Sequence, residues 1–206
     1  VLETTVDVMQ KPAGVSISWL TSRAGAWLGW LATGAILGAM AWGAGRTPML
    51  AILLPVLCFV PAHRASVFFL TLGYHLAVVR FLPEYASNWF AQPAYGLGVW
   101  IVLGLISASG WALMWTRSTK PWRVGAASAG AFLVTLSPPI AIVLPGHPLV
   151  AWGFVVEGMG WFGVALALAI TVFAAIVLRR SIWAANNPRL LAIGISVLGC
   201  WLVVVF

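Results

Sequence analysis

Long apolar runs, broken by Arg, Pro and Gly, set the pattern of this chain. No run alternates apolar and polar residues with period two, so the pattern argues against a β-barrel. A helix needs about 20 apolar residues to cross a hydrocarbon core ~30 Å thick. In lipid every backbone polar group must be bonded internally, and helices do this within one segment. The runs therefore predict an all-α polytopic membrane bundle over 24–206, behind an N-terminal tail at 1–23. It has about seven transmembrane helices, at about 24–44, 48–62, 65–82, 94–116, 124–144, 161–178 and 190–206.

Punctuation refines this reading. The run from Ala24 is too long for a signal peptide's apolar region of ~7–15 residues and reads as an uncleaved first span. Its pairs Gly25/Gly29 and Gly34/Gly38 would let another helix approach closely. The second run is short and holds Pro55, which points to incomplete insertion. The third ends before Pro83, because the residue preceding proline disfavours α geometry. Pro138 and Pro139 interrupt the fifth. The apolar stretch 149–178 would make a helix of ~45 Å, too long for one crossing. Glu157 stands among glycines inside it, in Val156-Glu157-Gly158-Met159-Gly160. A break is expected there, leaving 149–156 as a half-helix or re-entrant element.

Composition adds exclusion. With 62% hydrophobic and only 7% charged residues, and a mean hydropathy of +1.02, the chain cannot cover a soluble domain's surface. The formal charge of +7 does not imply nucleic acid, since the cations stand singly or in small groups between apolar runs. In a seven-span topology nine of the 11 Lys and Arg fall on one side and two, Arg46 and Arg80, on the other. The positive-inside rule then places the N-terminus in the cytoplasm and Phe206 outside. Many of the 13 tryptophans close apolar runs, as an interfacial belt does. Cys58 and Cys200 lie within apolar runs and read as small apolar side chains.

Chemistry is sparse. There is no Cys-x-x-Cys, His-Glu-x-x-His, Gly-x-Ser-x-Gly or phosphate loop, and neither cofactor nor metal is expected. Ionisable residues in or near apolar segments are the candidates. They are Glu157, His75, Arg80, Glu84 and His147. Each has a plainer role: an interfacial carboxylate for Glu157, an interhelical hydrogen bond for His75, snorkelling for Arg80 with Glu84 beside it, and turn chemistry for His147.

Ser137-Pro138-Pro139, Gly146-His147-Pro148-Leu149, Ala151-Trp152-Gly153-Phe154 and Gly158-Met159-Gly160-Trp161-Phe162-Gly163 carry a resemblance. So do Leu72-Gly73-Tyr74-His75-Leu76 and Phe81-Leu82-Pro83. Together they resemble the membrane part of the TraB family of conjugal transfer proteins of Ti-type plasmids, itself similar to apolipoprotein N-acyltransferase. The resemblance implies a bacterial inner-membrane location, a periplasmic C-terminus and other conjugation proteins as partners. Family members carry a nitrilase-like domain after the membrane domain. Its Glu-Lys-Cys set has no counterpart here, so no catalytic residue is carried over.

Three functions fit. One is a non-catalytic accessory role in conjugal transfer. Another is the membrane domain of an acyl-transfer enzyme whose catalytic domain is absent from this chain. The third is a small transporter with Glu157, His75 and Arg80 along its path. The bilayer is the expected partner, with an acyl chain or lipid bound between helices, and direct nucleic-acid binding is not expected.

Overall fold

The computed structural model describes residues 17–43, 47–137 and 146–184, whose regular structure is entirely helical. In chain order the α-helices are α1 (Ile17–Gly43), α2 (Leu53–Leu57), α3 (Arg64–Val78) and α4 (Leu82–Phe90). There follow α5 (Pro93–Met114), α6 (Pro121–Thr135), α7 (Pro148–Val155) and α8 (Gly160–Ala184), while a 3-10 helix, Pro48–Ile52, precedes α2.

Among the described residues three stretches are long and apolar enough to cross a bilayer: Arg23–Gly43, Pro93–Met114 and Gly160–Ile182. Counting α3 and α4 as one bent span makes up to four. By length and composition the described residues therefore do not support the expected seven. The run 48–62 holds no continuous α-helix, because prolines cannot donate to one. Pro48 opens the 3-10 helix, and Pro55 sits in the first turn of α2, where a missing N–H costs nothing. α6 stops at Thr135 after 15 residues, or ~22 Å. The run 190–206 and Pro138 and Pro139 lie outside the described residues. α1 itself begins at Ile17, ahead of its candidate span, which starts at Arg23.

Pro83 does not simply end the third run. It lies in the first turn of α4, which turns away from α3 by 61°. Proline is accepted in a first turn because the N–H it lacks would have no partner inside the helix. Tyr85 and Trp89 on α4 are 67% and 85% exposed, aromatic groups of the kind that seek the headgroup level. Ala91, at φ 53°, then turns the chain into α5.

The expected break in the long run is present. α7 ends at Val155, Glu157 stands exposed on the turn, and α8 begins at Gly160. Gly158 and Gly160 hold φ of 76° and 54°, left-handed values that glycine adopts without penalty.

α1 and α3 pack in parallel. A Cβ added to Gly34 would collide with the carbonyl of Leu70, and one added to Gly73 with that of Leu31. At Gly38 it would lie 2.5 Å from the carbonyl oxygen of Tyr74. The Gly34/Gly38 pair is thus a close helix crossing, as expected. Gly25 and Gly29 face open space instead. α5 runs antiparallel to α3: Gly104 meets Leu76 and Leu72, and Thr71 Oγ1 reaches the carbonyl of Ala108 at 3.5 Å.

The bundle separates its charges. Arg64 Nη2 donates to the carbonyl of Trp115 (3.3 Å), and Arg179 Nη2 to that of Thr116 (3.1 Å). The start of α3 therefore meets the ends of α5 and α8. Arg23, Arg117, Lys120, Arg123 and Arg180 share this end. The opposite end holds Arg80, Glu84 and Glu157.

Candidate functional site

The polar interior gathers around the segment that leads into α7. Gly146, at φ 102°, packs so closely on Val78 that an added Cβ would lie 2.5 Å from Val78 Cγ1. Its carbonyl accepts the Tyr74 hydroxyl at 2.7 Å, and the same hydroxyl accepts Trp42 Nε1–H at 2.8 Å. One turn thus ties α1, α3 and α7 together.

His147 follows as the N-cap of α7. Its Nδ1 accepts the Leu149 amide at 3.0 Å. That bond leaves the proton of the neutral ring on Nε2, assigned here from the network. Nε2 lies 2.8 Å from Thr135 Oγ1, which donates onward to the Ala131 carbonyl at 2.7 Å. Trp111 stacks on the ring at 6.2 Å between centroids, and Phe132 meets it edge-on at 5.1 Å. Burial pushes the imidazole down to about 4, because the interior disfavours the charged form. His147 is therefore a neutral ring satisfied at both nitrogens, consistent with its expected role in turn chemistry.

His75, whose ring meets that of Tyr74 edge-on at 5.1 Å, is 0% exposed. Among the described residues neither of its ring nitrogens has a hydrogen-bond partner, and Trp111 Nε1 is also buried without one. Among the described residues no interhelical hydrogen bond to His75 is found. An orphaned buried polar group typically costs ~1–3 kcal/mol.

The other candidates stand apart. Arg80 donates from Nη2 to the Gly43 carbonyl at 3.2 Å and from Nη1 to that of Ala77 at 3.4 Å, so its guanidinium closes the C-terminal ends of α1 and α3. It forms no ion pair with Glu84, which is exposed in the first turn of α4, a favourable place for an anion. Glu157 is exposed on its turn. No hydrogen bond joins Glu157, His75 and Arg80. Among the described residues no group of three or more His, Cys, Asp or Glu is placed to hold a metal ion. Cys58 is a free, buried thiol.

Sequence reasoning missed Arg179, which it counted only as a loop cation. The side chain is 0% exposed. Nη1 donates to the carbonyls of Phe59 (3.0 Å) and Pro61 (3.2 Å), Nη2 to that of Thr116, and the guanidinium sits 5.3 Å over the Trp115 ring.

The described residues thus form an all-helical bundle with three, or up to four, candidate membrane spans and with its charge parted between two ends. Conjugal transfer protein TraB of Agrobacterium fabrum (strain C58 / ATCC 33970) is 27% identical to the chain over 144 residues, covering 64% of this chain and 34% of that protein. The chain spans about a third of the length of the curated relative it matches. No protein-family model and no solved structure matches it.

Proposed function

We propose that this chain is a membrane-embedded component of a conjugal transfer system, seated in the bacterial inner membrane, with a non-catalytic, scaffolding role. The similarity to a conjugal transfer protein carries the reading, and helices long and apolar enough to cross a bilayer support it. The basic end faces the cytoplasm, by the positive-inside rule. This puts the start of α1 on the cytoplasmic side. One further crossing beyond α8 would carry the C-terminus to the periplasm. Deleting the coding region from a conjugative plasmid and measuring transfer frequency tests the role. A clear fall, restored in trans, is expected; an unchanged frequency overturns it.

The length of the relative favours a second reading, in which this bundle is the membrane domain of a larger acyl-transfer protein. A reading frame continuing into a nitrilase-like domain would support that version. A stop codon after Phe206 would remove it.

A further inference from the structure

We propose that the basic end of the bundle binds anionic phospholipid headgroups, through the 115–120 loop and the first turn of α6. The proposal rests on the membrane reading and not on the conjugal role.

The loop is short and held in shape from within. α5 ends at Met114 and α6 begins at Pro121. Beneath the loop, buried Arg179 holds the Thr116 carbonyl. Thr116 Oγ1 accepts the Ser118 amide at 3.2 Å, and Ser118 Oγ accepts the Lys120 amide at 3.2 Å. Arg117, Lys120 and Arg123 are thereby displayed outward, and all three are exposed. Arg64, also exposed, anchors beside them on the Trp115 carbonyl. Among the described residues no acid stands at this end to neutralise them.

Two features choose lipid over other polyanions. First, six residues joining two packed helices cannot lift their charges beyond about one Debye length, ~8 Å, from the bilayer surface. Second, Trp122 is 67% exposed with the Arg123 guanidinium 5.1 Å over its ring. An indole beside a cation suits the boundary where acyl chains meet phosphates. Each Lys or Arg at such a surface strengthens partitioning to anionic lipid about five-fold.

The test is native mass spectrometry of the full chain, purified in neutral detergent and offered equal phosphatidylglycerol and phosphatidylcholine. Phosphatidylglycerol should be retained over phosphatidylcholine by roughly ten-fold or more. The double variant Lys120→Gln/Arg123→Gln should lose most of that preference, whereas Lys120→Arg and Arg80→Gln keep it. The substituted side chains at the loop are exposed, so each loop variant should melt with the parent, and that is checked alongside. Equal retention of the two lipids overturns the proposal, as does a preference untouched by the double variant. So does tight binding of single-stranded DNA by the chain in phosphatidylcholine nanodiscs, if the double variant abolishes it; that would assign the patch to nucleic acid.

Discussion

The Tyr74 hydroxyl donates to the Gly146 carbonyl at 2.7 Å, across 72 positions of sequence. The bond is buried, and it fixes the turn that presents His147 to Thr135. Tyr74→Phe would leave both the Gly146 carbonyl and Trp42 Nε1 without this partner. A loss of ~1–3 kcal/mol is expected, read as a lower melting temperature in detergent. An unchanged melting temperature would show that the bond contributes nothing net.

The α1–α3 crossing depends on the absence of three side chains, at Gly34, Gly38 and Gly73. Gly34→Ala or Gly73→Ala must push the helices apart, because the new Cβ meets backbone that cannot yield. Both variants should melt well below the parent. Gly25→Ala, with open space around it, should be neutral or slightly stabilising, since alanine favours a helix over glycine by ~1 kcal/mol.

His147 makes stability depend on pH. Its folded value of about 4 lies below the ordinary 6.5, so between the two the unfolded chain binds more protons. Its contribution is fully present above pH 6.5 and is lost as pH falls toward 4. His147→Asn keeps an N-cap acceptor for the Leu149 amide but removes the titration. The variant should therefore lose less melting temperature than the parent between neutral and mildly acidic pH. Parallel curves would exclude His147 as the source.

His75 separates folding from function. Its ring nitrogens are buried and have no partner among the described residues, so His75→Leu should leave the melting temperature unchanged or raise it. A variant that melts higher yet lowers transfer frequency would assign the residue to function. Marked destabilisation would show instead that His75 has a polar partner in the membrane.

Arg179 and Arg180 are adjacent and should differ sharply. Arg179→Gln removes the charged donors to three carbonyls and should cost at least ~2 kcal/mol. Exposed Arg180→Gln should change thermal stability by less than ~0.5 kcal/mol. Equal effects would contradict the clamp.

Much of the architecture was legible because lipid imposes simple rules. Apolar runs located α1, α5 and α8. The glycines around Glu157 located the break before α8, since no side chain but hydrogen takes those φ values freely. Proline was harder to read. It forbids an N–H bond wherever it stands, but sequence does not say whether it closes one helix or opens the next. Pro83 lies in the first turn of α4, and Pro55 in that of α2. Both choices shortened elements that composition alone would have made spans.

The candidate site was legible in parts only. The sequence by itself established an apolar, all-helical chain with its cations gathered toward one side, because those properties depend on residue type and spacing. Tertiary structure alone decided that His147 is satisfied, that His75 has no partner among the described residues, that Arg80 closes helix ends, and that Arg179 is a buried clamp. The physical reason is that a hydrogen bond needs two groups within about 3 Å. For Tyr74 and Gly146, or Arg179 and Phe59, only the packing of helices distant in sequence brings them that close.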